Sequence, residues 1–285
     1  MITLRYKIRN KLIILSSFIL LIVIGIFSHS WVVHTRTTQS KIQTSHMSPI
    51  ILIPGSSASV NRFDSLLTKL NTKSQRHDIL KVWVTKDGKL VYSGKIRSSD
   101  EQPFIVVGFQ NNADGYDNIK KQAKWLNTAL IDLQDRYHFH NFQGIGHSNG
   151  GLIWTRYLEN YYSSDSFNMA TLMTLGTPFN FSESSSQRRT VMLKDFIEKN
   201  TKLPSNLVMY SIAGTEDYTD DGIVPVQSVL AGKYIFQKHV KSYTQITVSG
   251  DDAQHSSLPE NTEVVKLIQE HILKENTNNN FRKPQ

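Results

Sequence analysis

The 285-residue chain contains no cysteine. That excludes a disulfide framework, a thiolate metal site, a cysteine nucleophile and a thioether lipid anchor. Acidic residues are missing from positions 1–48, where Arg5, Lys7, Arg9, Lys11, Arg36 and Lys41 are the only formal charges. The net charge of +8 is therefore concentrated at the N-terminus, and the remaining residues carry 26 bases against 24 acids. No basic run interleaved with aromatics occurs, so nucleic acid is not an expected partner. Internal repeats and low-complexity tracts are also missing. A hydrophobic fraction of 39% with 20% charged residues describes a globular chain.

Leu12 to Val33 is a long apolar run without Asp, Glu, Lys or Arg. About 20 apolar residues cross a bilayer as a helix. The bases at 5–11 lie on one side of the run only, which orients the N-terminus toward the cytoplasm and the rest of the chain outward. Two expectations follow for residues 1–34. They form a retained membrane anchor, or a signal segment cleaved near Ser28-His29-Ser30. Residues 35–48 are polar without apolar periodicity and are expected to form a stalk. Residues 49–274 are long enough for one sizeable core, and 275–285 form a flexible tail.

In the body, short apolar runs alternate with helical periodicity. Pro49 to Pro54, Phe104 to Phe109, Phe142 to Gly146, Met169 to Leu175, Leu207 to Ala213 and Tyr243 to Val248 read as strands. Asp87-Gly88 joins two further strand candidates, Asp78 to Thr85 and Lys89 to Ile96, as a hairpin. Ile119, Ala123, Leu126, Leu130, Leu133 and Tyr137 recur by threes and fours, which predicts an amphipathic helix over 116–137. Further helices are expected at 61–70, 150–162 and 261–273. Strand–helix alternation implies an α/β fold with a mostly parallel central sheet and helices on both faces. The polar stretch 182–206, with a helix predicted over 191–199, is either a cap over a site or a surface excursion.

Three places carry chemistry. Gly146-His147-Ser148-Asn149-Gly150-Gly151 fits G-x-S-x-G and sits between a predicted strand and a predicted helix. Side chains at 146 and 150 would collide with backbone on so sharp a turn, and the turn lifts the Ser148 hydroxyl to a helix N-terminus. His255 lies in a loop between the last strand and the last helix, where it can act as a base toward a serine. His147 is expected to point elsewhere on the turn, and His77, His239 and His271 are expected at the surface. His138 and His140 could bracket a metal, although H-x-H alone seldom does. The third place is Gly214 to Pro225, where Glu216, Asp217, Asp220 and Asp221 precede Gly-Ile-Val-Pro. Asp221 is the expected partner of His255, ahead of Asp217 and then Asp220. Gly222 permits a tight turn beside it, and the Ile223–Val224 pair is expected to anchor that turn in the core.

Ser148, Asp221 and His255 follow one another at separations of 73 and 34 residues. From about Pro49 to Leu273 the chain resembles the α/β-hydrolase superfamily, in which serine, acid and histidine come in that order. Within it, the chain is similar to lipase- and esterase-like cell-surface hydrolases of Gram-positive bacteria. The matching segments are Ile-Leu-Ile-Pro-Gly-Ser at 51–56, Gly-His-Ser-Asn-Gly-Gly at 146–151, Leu-Gly-Thr-Pro-Phe at 175–179, Asp-Gly-Ile-Val-Pro at 221–225 and Gln-His-Ser-Ser-Leu-Pro at 254–259. Many members carry His-Gly after the first core strand, where this chain has Pro54-Gly55.

The resemblance implies a serine hydrolase without cofactor or metal, acting on an acyl ester. Ser148 is the expected nucleophile, His255 the base and Asp221 its orienting acid. The backbone N–H groups of Ser56 and Asn149 form the oxyanion hole. Acyl transfer or amide cleavage could use the same residues. A non-catalytic binding module on this scaffold would need a broken triad. Oligomeric state is not legible.

Overall fold

The computed structural model describes residues 15–33, 35, 42, 45–72, 75–185 and 187–273. The chain divides into two compact units between Ser45 and His46. In the first, helix α1 (Leu15–Val33) has none of its apolar surface buried. Among the described residues it is the one helix long and apolar enough to cross a membrane. The bases at 5–11, most of the 35–48 stretch and the tail 275–285 lie outside the described residues.

The second unit is built on an eight-stranded sheet. Its strands are β1 (Ile50–Ile53), β2 (Ile79–Val84), β3 (Leu90–Gly94), β4 (Phe104–Phe109), β5 (Asn141–His147), β6 (Asn168–Leu175), β7 (Val208–Thr215) and β8 (Ser242–Ser249). They run in the order β3-β2-β4-β1-β5-β6-β7-β8. The β2–β3 hairpin is antiparallel and every other pairing is parallel. The expected hairpin and parallel sheet are therefore both present.

The central strands are apolar on both faces because both faces are covered. All four residues of β1 are buried, with Ile51 and Ile53 in one cluster and Ile50 and Leu52 in the other. The period of two along the strand thus feeds two cores. On one side lie α3 (Tyr116–Tyr137) and α4 (Asn149–Asn160), with α5 (Val191–Lys199) and the short α7 (Lys233–Phe236). On the other lie α2 (Asp64–Leu70) and α8 (Thr262–His271). The short α6 (Val226–Leu230) packs beside β7. The edge strand β8 is polar along most of its length, which discourages pairing with another chain.

The predicted stripe of α3 is buried at Ile119, Ala123, Leu126, Leu130 and Leu133. Helix α5 matches its expected span and inserts Met192, Leu193 and Phe196 into the core. That part of 182–206 is therefore packed structure and not a free excursion. The expectation for His77 fails. Its side chain is 9% exposed, its Nδ1 lies 3.2 Å from Asp100 Oδ1 and its ring stands edge-on to Phe104. Paired hydrogen bonds between Asn71 and His77 tie these two residues together ahead of β2.

Candidate active site

Strands β5, β7 and β8 run in the same direction, so the loops that follow them emerge at one edge of the sheet. Those loops carry Ser148, Asp221 and His255. In parallel α/β sheets this carboxyl end is where ligands bind. The topology thus gathers residues separated by 73 and 34 positions in sequence.

Ser148 sits between β5 and α4 with φ 55° and ψ −129°, a strained conformation for a non-glycine residue. Its backbone N–H donates to Leu175 O at 2.8 Å, and its carbonyl accepts from Thr177 Oγ1 at 3.0 Å. Those two bonds hold the turn from the neighbouring strand. A Cβ at Gly146 would lie 2.6 Å from Gly151 N, and one at Gly150 would lie 2.0 Å from Ile53 O. Both glycines are needed for close backbone approach, as the sequence predicts. Although Ser148 occupies the N-cap position of α4, its side chain makes no capping bond. The hydroxyl is left for other chemistry, and Ser148, 8% exposed, lines a cleft.

His255 and Asp221 form the second half of the site. Asp221 is 1% exposed, and its Oδ2 accepts from His255 Nδ1 at 2.7 Å. Its Oδ1 accepts the backbone N–H groups of Ile223 and Val224, at 3.1 and 2.7 Å. The carboxylate is thereby fixed at both oxygens. Gly222 has φ +87°, the tight turn that the sequence predicts. The expected anchoring is only half right: Val224 is buried, but Ile223 is 68% exposed. Both residues line the cleft, Ile223 with its side chain still open to solvent. Asp217 and Asp220 are exposed and accept from Thr219 and Gly222 in their own loop, so neither faces His255.

The cleft has a volume of about 460 Å³. Ser148, Ser56 and Asn149 line its floor, and Pro178, Phe181, Ile223 and Val224 give it apolar walls. Among the described residues, no acceptor is paired with the backbone N–H of Ser56 or of Asn149. Asn149 is tied by its side chain to Asp114 Oδ1 at 2.7 Å. Ser148 Oγ makes no hydrogen bond to His255 among the described residues.

Three residues of the site escaped sequence reasoning. Gly176 has φ +56°, and a Cβ there would stand 3.0 Å from Asp221 Oδ2 and 3.1 Å from His255 Nδ1. Its neighbour Thr177 braces the serine turn. Both lie in the Leu-Gly-Thr-Pro-Phe segment, so the signal was present without its meaning. His147 was expected to point elsewhere. Its ring instead lies 4.8 Å from the His255 ring, and its Nε2 is 2.9 Å from His255 O. The cause is topological: β5 brings residue 147 beneath the loop after β8.

Comparison with known proteins accords with this architecture. Residues 37–275 match the model of a family described as alpha/beta hydrolase of unknown function, DUF915. A solved structure from Lactobacillus plantarum WCFS1, provisionally described as a cell surface hydrolase, is 51% identical with a TM-score of 0.73, covering 80% of this chain and 92% of that one. The product of a Listeria innocua gene is 30% identical with a TM-score of 0.72, covering 81% and 96%. The mature lipase BlEst2 of Bacillus licheniformis shares the fold at 12% identity and a TM-score of 0.51, covering 79% and 91%. The search of curated proteins gave no match. With its parallel sheet, its strained serine turn and a family match spanning most of its length, the chain belongs to the alpha/beta hydrolases of the DUF915 family.

Proposed function

We propose that the protein is a serine hydrolase that cleaves acyl esters, a carboxylesterase or lipase-like enzyme held at the cell surface. The observation that carries this reading is the convergence at one sheet edge of a strained, uncapped Ser148 and a buried His255–Asp221 pair. A hydroxyl is a weak nucleophile until a base takes its proton. In this reading, His255 accepts the Ser148 proton through Nε2 as the hydroxyl attacks the acyl carbonyl. Asp221 holds Nδ1–H, which fixes the tautomer and stabilises the imidazolium. The N–H groups of Ser56 and Asn149 receive the oxyanion, a contribution on the order of 3 kcal/mol per donor. The imidazolium then protonates the leaving alcohol. Water, deprotonated by the same ring, releases the acid. The apolar cleft walls suit an acyl chain.

The surface location rests on α1 and on the relative described as a cell surface hydrolase. We place the body outside the membrane, tethered through residues 12–33 or released by cleavage near Ser30. The test of the chemistry is a fluorophosphonate probe and an activated ester applied to native protein and Ser148→Ala. Loss of both labelling and turnover in a folded variant is the expected result. Labelling that persists at another serine would overturn the assignment.

A further inference from the structure

We propose that His147 and Arg62 are positioning residues for the base, holding two successive carbonyls of the loop that carries His255. The proposal rests on the serine-hydrolase reading of the same site. The backbone N–H of His255 is held by Asp221 O at 2.7 Å. Its carbonyl is held from the opposite side by His147 Nε2 at 2.9 Å. The next carbonyl, of Ser256, accepts from Arg62 Nη2 at 2.5 Å, and Arg62 Nη1 also pairs with Glu260 Oε1 at 2.8 Å. Lys69 Nζ and Glu216 hold the loop farther out, at Glu260 O and Gln254 Nε2, so His147 and Arg62 are the side chains that hold the two carbonyls at the base itself.

A carbonyl can only accept, so His147 Nε2 carries the hydrogen. Its Nδ1 is buried with no partner among the described residues. Burial is the main cause that holds this imidazole well below the ordinary histidine range, and the nearby charges of His255 and Arg62 add to it. His147 therefore stays neutral while His255 becomes cationic during turnover. A charged ring 4.8 Å away would oppose that step.

Arg62 comes from the segment between β1 and α2, which also supplies Ser56. One stretch of chain thus sets both the oxyanion donor and the brace of the base loop. Neither His147 nor Arg62 lines the cleft, so their loss should act on kcat and leave KM nearly unchanged.

The test compares His147→Phe, which keeps a ring without the donor, with His147→Gln, whose amide nitrogen can replace Nε2. Arg62→Met is the independent third variant. Each is assayed on an activated ester, with kcat normalised to sites titrated by a fluorophosphonate and folding followed by thermal melting. His147→Phe and Arg62→Met are expected to lose about ten- to hundredfold in kcat, the scale of a misplaced catalytic group. His147→Gln is expected to recover most of it. Native kcat per titrated site in both His147→Phe and Arg62→Met overturns the proposal, as does a Gln variant no better than Phe. If His147→Phe does not fold, Arg62→Met decides alone. Ser148→Ala separates the two levels: turnover surviving in that variant sinks the site reading and this proposal together, whereas a dead Ser148→Ala with unimpaired clamp variants sinks only the clamp.

Discussion

His255 is bound to Asp221 twice. Its ring Nδ1 lies 2.7 Å from Asp221 Oδ2, and its backbone N–H donates to Asp221 O at 2.7 Å. Side chain and main chain are therefore registered against the same residue, so the ring cannot shift along the loop without breaking both contacts.

That double contact separates the three candidate acids. Asp221→Asn should lower kcat by up to roughly ten-thousandfold, because the amide leaves His255 in the wrong tautomer and its cation unsupported. Asp217→Asn and Asp220→Asn, both exposed and bonded only within their own loop, should stay within a few-fold of native. Turnover on one activated ester compares all three. A collapse confined to Asp217→Asn would reassign the acid.

Gly150→Ala should destabilise the fold and not merely slow turnover. The added Cβ would meet Ile53 O at 2.0 Å and Pro54 O at 3.1 Å, both backbone atoms of the strand and loop that carry the proposed oxyanion donor. Forced overpacking of this kind costs about 1–3 kcal/mol. Urea unfolding measures it, and an unchanged midpoint would show that the turn has room.

Glu159 gives the fold a pH dependence unrelated to the site. It is 2% exposed on α4, and neither carboxylate oxygen has a partner among the described residues. Burial pushes its pKa from 4.5 up to about 9, against the opposing pull of Arg156. Between those values the folded chain keeps a proton that the unfolded chain has released. The stability present below pH 4.5 is therefore lost as pH rises toward 9, by up to about 1.4 kcal/mol per pH unit. Glu159→Gln should remove that slope. Urea midpoints of the two proteins at pH 5, 6.5 and 8 should converge at the acid end and diverge at the alkaline end; parallel lines would contradict the burial argument.

Protease added to intact cells should degrade the body and leave a membrane-embedded stub containing residues 12–33. Protein recovered wholly in the medium would favour cleavage near Ser30. Full protection inside the cell would refute the outward orientation.

The sequence by itself determined the elements and the ends of the site. Continuous apolar strands such as Ile50–Ile53 announce a sheet covered on both faces, and the three-four spacing of Ile119 to Leu133 announces its covering helix. Gly146, Ser148 and Gly150 announce the sharp turn, because only glycine fits at its flanks. These signals are local, set by backbone sterics and side-chain periodicity within one segment. Only the tertiary structure decided which groups meet. Asp221, ranked first from the turn beside it, is the one of the three acids that faces His255, and of the two apolar residues that line the cleft Ile223 stays exposed while Val224 is buried. The His77 side chain proves largely covered beside Asp100 and Phe104, and His147 lies under a loop 108 residues away in sequence. Each of these depends on strand order and on contacts between distant segments, which no local pattern of residues encodes.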